Sequence, residues 1–193
     1  MNNIPQENIT DFVNYRYKPY DSSKTGLKLF FCWGMLVPFY LIGNNTLLWV
    51  IAVAVFNMAL TAMCVKERKM LKYYGFLVDG VSNAYIGLLF NLFAYRLYTD
   101  YYSENIVVML LMLMALFMTA CLSVIVITSL IKIGKFKFAE GAKKTSVVAI
   151  VICLAILKNL EISGLVVVIS AFVFSLVCVA ISVNGLLKHW LTK

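Results

Sequence analysis

Histidine occurs once in these 193 residues, proline three times and acidic side chains nine times, and each shortage closes off a class of protein. A single His leaves no H-E-x-x-H pair for a catalytic metal, and no G-x-S-x-G segment supplies a nucleophile elbow. Asp79 is the one acid well inside an apolar stretch, so a membrane-depth carboxylate pair for aspartyl chemistry is not expected. The five cysteines, Cys32, Cys64, Cys121, Cys153 and Cys178, lie in or beside apolar runs without metal-ligand spacing and read as small packing residues. No cofactor and no metal site is expected. His189, next to Trp190, reads as an interface anchor rather than a catalytic base. Charged residues make up 13% of the chain against 62% hydrophobic, too little polar material to cover a water-soluble globule.

What the chain does have is apolar length. Six stretches, 27–43, 46–65, 73–97, 106–131, 139–158 and 164–187, approach or exceed the roughly 20 helical residues that cross a hydrocarbon core of about 30 Å. The expected fold is all-α: a polytopic bundle of six spans forming one domain over 27–187. A polar, interfacial segment precedes it over 1–26 and a short cytoplasmic tail follows over 188–193. The fifth span has the weakest boundaries, because only a dozen uninterrupted apolar residues precede Lys158, and a re-entrant segment is the rival reading there. Pro38, four residues after Gly34, predicts a kink in the first span, and Gly43-Asn44-Asn45 a tight turn after it.

The basic residues sort by loop. With the N-terminus inside, Arg16, Lys18, Lys24, Lys28, Lys66, Arg68, Lys69, Lys72, Lys132, Lys135, Lys137, Lys143, Lys144, Lys188 and Lys193 all fall on the cytoplasmic side. Only Arg96 and Lys158 fall outside. Cytoplasmic loops retain Lys and Arg, so both termini are expected in the cytoplasm and the protein in the cell (plasma or inner) membrane. The net charge of +8 then reflects attraction to an anionic inner leaflet. No nucleic-acid partner is expected, since no folded platform presents the charges. The polar N-terminal segment lacks a basic region leading into an apolar run, so no cleaved signal peptide is expected. Tyr15, Tyr17 and Tyr20 beside Arg16 and Lys18 read as a headgroup anchor on a surface segment or disordered tail.

The third span carries the candidate site. At about 100° per residue, Asp79, Gly80, Asn83, Ala84, Gly87, Asn91 and Ala94 share a face about 140° wide, which is small and polar. Val78, Val81, Tyr85, Leu88, Leu89 and Leu92 form the other face, which suits lipid. Small residues admit a neighbouring backbone, and this span is expected at the centre of the bundle. Asp79 lies about 9 Å inside the span at 1.5 Å per residue, where a carboxylate is costly unless it faces protein or water. It is the leading candidate for a proton, cation or solute site, with Asn83 one turn away, Asn91 further along, and Asn57 reaching across from the second span. The structural reading of Asp79 is an ion pair with a base such as Lys72 or Lys66, and that of Asn57 is interhelical glue, with Thr61 one turn on. Arg96 is an outer-mouth candidate that either snorkels toward Asp100 and Glu104 or binds an anion. Thr119, Ser123, Thr128, Ser129, Ser170, Ser175, Ser182 and Asn184 either line a polar interior or bond back to their own helices. Met109, Met112, Met114 and Met118 read as core or lipid-facing filler.

These residues predict a non-enzymatic multi-pass protein acting in permeation or in binding a small solute or ion through the polar face of the third span. One alternative is an accessory, immunity or defence protein working by partner contact, as a homo-oligomer, a larger membrane complex or an oligomeric pore. The other is a lipid-modifying membrane enzyme. Asp79-Gly80 begins like a headgroup-transferase motif, but the further aspartates of such a metal site are missing.

Overall fold

The computed structural model describes residues 4–14, 22–36, 46–67, 72–103, 105–135 and 164–192. They form six helices and no strands: α1 (Gln6–Asn14), α2 (Ser22–Gly34), α3 (Thr46–Glu67), α4 (Lys72–Tyr101), α5 (Ile106–Lys132) and α6 (Gly164–Leu191). Among the described residues three helices, α4, α5 and α6, are long and apolar enough to cross a membrane, which marks the chain as a membrane protein. The apolar part of α3, Val50–Lys66, is shorter. The expected fifth span, the Pro38 kink and the turn after Gly43 lie outside the described residues.

The bundle is organised around α4 and α6, which pair antiparallel along their whole length. Gly80 meets Gly185, Gly87 meets Cys178, Ala94 packs with Ala171, and Tyr101 covers Gly164. Both series advance by seven residues per step. A strict seven-residue repeat on both partners keeps one seam closed when the helices supercoil left-handedly, and small side chains there let the backbones approach.

The opposite face of α4 corrects an expectation. Val78, Ser82, Ile86 and Leu89 are buried, and the apolar ones pack against Cys32 of α2, Met35 just after it, and Val53, Leu60 and Cys64 of α3. A Val/Leu surface is compatible with lipid and with protein alike, so its apolar character does not distinguish the two. Leu88 does remain exposed. The broad outward face of α5, including Leu110, Met114, Phe117, Met118, Leu122 and Ile125, is exposed and suited to lipid.

The N-terminal segment, expected as a surface segment or disordered tail, contains a short helix. α1 docks on one end of the α5–α6 pair, with Phe12 only 2% exposed and packed beside Ile127, Ile131, Val183 and Leu187. Asn8 Nδ2 donates to the Lys132 carbonyl at 3.3 Å, at the C-terminus of α5. That terminus closes in a Schellman motif: Lys135 N–H reaches Leu130 O at 2.9 Å and Gly134 N–H reaches Ile131 O at 3.1 Å. The motif needs the left-handed φ of +70° that Gly134 adopts. Nor does α6 stop at Leu187, because it runs on to Leu191 and buries Lys188 to 6% exposure. The Lys188 ammonium lies 5.1 Å from the Phe12 ring centroid and 5.8 Å from that of Phe76, where cation–π attraction offsets part of its desolvation.

Candidate functional site

Asp79 sits in the second turn of α4, and among the described residues a cation from α2 reaches it: Lys28 Nζ donates to Asp79 Oδ1 and forms an ion pair. Lys72 and Lys66 were the expected bases. The Lys66 side chain is exposed, and that of Lys72 lies outside the described residues. Lys28, counted among the loop cations, thus belongs to a helix that packs in the bundle. The side chains of Lys28 and Asp79 remain 28% and 43% exposed.

Neighbouring turns of α4 furnish the rest of the cluster. Ser82, buried three residues on, accepts from Lys28 Nζ at 3.2 Å and donates to Asp79 O at 3.1 Å. Asn83 Nδ2 lies 2.6 Å from Asp79 O and 3.3 Å from Asp79 Oδ1, so the amide holds both backbone and carboxylate of the same residue. Lys28, Asp79, Ser82 and Asn83 therefore form one polar cluster joining α2 to α4. Ser82 was not expected there; its place one turn from Asp79 on the α2 side of the helix was the available signal.

Two turns farther along α4, aromatic rings take over beside the cluster. Phe90 stacks on Phe31 of α2 at 5.4 Å between centroids and meets Phe174 of α6 edge-on at 4.2 Å. Seven residues separate Asn83 from Phe90, about 10 Å along a helix. The cluster thus has an apolar limit on its far side.

The other expected site residues lie elsewhere. Asn57, fully buried on α3, donates from Nδ2 to Cys32 O at 2.9 Å and accepts at Oδ1 from Tyr85 Oη at 2.9 Å, tying α2, α3 and α4 together. Thr61 extends this link, donating to Asn57 O at 2.7 Å and accepting from Trp33 Nε1 at 3.2 Å. Asn91 lies 12 residues beyond Asp79, about 18 Å along the axis, within the α4–α6 seam. Its side chain is 2% exposed and Nδ2 finds no hydrogen-bond partner among the described residues. Arg96 is half-buried near the far end of α4, where its carbonyl accepts from Thr99 Oγ1 at 2.8 Å. Asp100 beside it is exposed, and Glu104 lies outside the described residues.

Among the hydroxyls, Thr119, Thr128 and Ser175 bond back to carbonyls of their own helices, at Ala115, Val124 and Phe172. No group of three His, Cys, Asp or Glu side chains among the described residues is positioned to hold a metal ion. The chain matches no protein-family model, no curated protein and no solved structure.

Proposed function

We propose that this is a six-span protein of the cell membrane, with both termini cytoplasmic, that binds or passes a small solute or ion at the Lys28–Asp79 cluster and performs no chemistry on it. One observation carries the reading: opposite charges from two helices meet on a helix apolar enough to cross a membrane, yet both side chains keep substantial exposure. Complete enclosure would take both charges out of water at a cost that can exceed their attraction, and this pair is not so enclosed. Partial exposure leaves both groups open to a ligand. The sidedness is supported by Lys28, Lys132 and Lys188, which gather at the end of the bundle where α1 docks. Arg96 lies toward the opposite end of α4.

The test uses full-length protein reconstituted into liposomes, as wild type, as Asp79→Asn and as the exchanged pair Lys28→Asp with Asp79→Lys. Uptake and binding of protons, Na⁺, K⁺, chloride and glycine are measured beside thermal stability. Loss of a wild-type signal in Asp79→Asn, with assembly unchanged, is the expected result. Signals unaltered in every variant, with only stability changing, would reduce the pair to a structural contact and favour a partner-binding role. Cysteine labelling should find the 66–72 and 132–144 connections on one face of the membrane; opposite faces would overturn the topology.

A further inference from the structure

We infer that Cys32 and Cys64 form a binding site for a soft monovalent cation, Cu⁺ or Ag⁺, between α2 and α3. The site stands apart from the solute-binding reading and does not depend on it. Both cysteines are free thiols, and both are buried, at 0% and 2% exposure. α2 runs in the same direction as α4, since Lys28 meets Asp79 and Phe31 meets Phe90. α3 runs the opposite way, because only four residues separate its end at Glu67 from the start of α4 at Lys72. The Asn57 amide fixes the level of the two helices by donating to Cys32 O at 2.9 Å. Cys64 follows two turns later on the same buried line of α3 as Asn57 and Leu60. Side chains lean toward the N-terminus of their own helix, so in this antiparallel pair the Cys32 and Cys64 thiols lean toward each other. The Cys64 thiol accordingly acts electrostatically on that of Cys32. Both belong to one packed cluster with Met35, and Met63 packs at its edge.

The ligand class follows from the donors. Two thiols with thioethers beside them are soft ligands, which select Cu⁺ and its like over hard cations. Two sulfurs suffice for such an ion, whereas a structural Zn²⁺ takes four ligands. Binding replaces the two S–H protons, which pass to water: one cation and two thiols give a bis-thiolate complex of charge −1 and two protons, with no electron transferred. The Lys28 ammonium, one turn before Cys32 on α2, acts electrostatically on the Cys32 thiol and offsets that charge. The remaining surroundings, Val53, Leu60 and Val78, are apolar and disfavour ions that keep a strong hydration shell. Cys178 belongs instead to the α4–α6 seam against Gly87, and Cys121 lies on α5 outside this cluster.

Full-length protein in phosphatidylglycerol nanodiscs is reduced, freed of reductant under argon and titrated with Cu⁺ held by the chelator bicinchoninate. The chain should withdraw one Cu⁺ from the chelator, and Ag⁺ should displace it. Cys32→Ala and Cys64→Ala should each weaken retention at least tenfold. The triple variant Cys121→Ala, Cys153→Ala and Cys178→Ala, which keeps only this pair of thiols, should retain the ion as wild type does. X-ray absorption of the Cu⁺ complex should show sulfur ligands alone, and an equal concentration of Zn²⁺ should not compete. Circular dichroism reports the folding of each variant. Where a single replacement does not fold, the triple variant and the absorption spectrum of the wild-type complex decide. Failure to withdraw Cu⁺ from the chelator, retention that survives both single replacements, or a ligand shell containing nitrogen or oxygen overturns the inference and leaves the two cysteines as packing residues.

Discussion

Gly185 of α6 lies so close to Gly80 of α4 that a methyl group added to it would stand 2.9 Å from Gly80 N and 3.0 Å from Gly80 Cα. The obstacle is backbone, which no rotamer change relieves, so the two helices must separate to admit Ala. Gly185→Ala should lower stability by about 1–3 kcal/mol, the usual range for overpacking a close contact. Gly26 of α2 has nothing within 4 Å of its added carbon, and Gly26→Ala should instead stabilise by up to about 1 kcal/mol through helix propensity. Unfolding of both variants in detergent, followed by circular dichroism, checks the contrast; equal effects at the two glycines would refute the close crossing.

Half of this seam was legible in the sequence. The small residues of α4 stood out because Gly80, Gly87 and Ala94 share a face with polar neighbours. The matching Gly164, Ala171, Cys178 and Gly185 series of α6 is masked by the hydroxyl residues interspersed with it, although its seven-residue period carries the signal. Burial of Val78 and Leu89 was not legible, because in a bilayer protein-facing and lipid-facing positions are both apolar. Asp79 announced itself as a charge in an apolar run, but Lys28, which pairs with it, lies 51 positions away and no local pattern connects them. The docking of α1 was obscured by polar composition, which hid Phe12 and Val13.

Asn57 makes the junction of α2, α3 and α4 depend on one amide. Asn57→Leu removes the donor to Cys32 O and the acceptor for Tyr85 Oη, although Tyr85 Oη keeps Val53 O at 3.2 Å. Interhelical bonds in membranes average about 0.6 kcal/mol, and two of them lost together predict a destabilisation of about 1 kcal/mol. The same change at Thr61, Thr61→Val, should cost less, since it loses a bond to its own helix and one to the exposed Trp33. Denaturant titrations that rank the two in the reverse order would show that Asn57 is not the principal link.

Asn91 should behave in the opposite sense. Its buried Nδ2 has no acceptor among the described residues, and a desolvated, unpaired donor of this kind costs about 1–3 kcal/mol. Asn91→Ala removes the donor and also some packing volume from the seam, so a net gain of about 1 kcal/mol is expected. Thermal unfolding of the purified variant measures it. A clear loss of stability would mean that the amide serves an acceptor which the substitution leaves stranded.

The docking of α1 can be separated from the stability of the bundle because its contacts lie at one end of α5 and α6. Phe12 fills that contact and also lies within cation–π range of Lys188, so Phe12→Ala removes both burial and a ring for the ammonium. Truncating a buried Phe costs about 3–5 kcal/mol, more than one short helix held by Phe12, Val13 and the Asn8 bond is expected to withstand. α1 should therefore release while α4 and α6 remain paired through their own seam. Hydrogen exchange of residues 6–14 should rise at least tenfold in Phe12→Ala, with protection of 80–94 and 171–185 unchanged. Lys188→Met, which replaces the buried ammonium by an apolar group of similar length, should leave α1 protected. Uniform loss of protection along α4 and α6 in Phe12→Ala would show instead that α1 is part of the bundle's cooperative core.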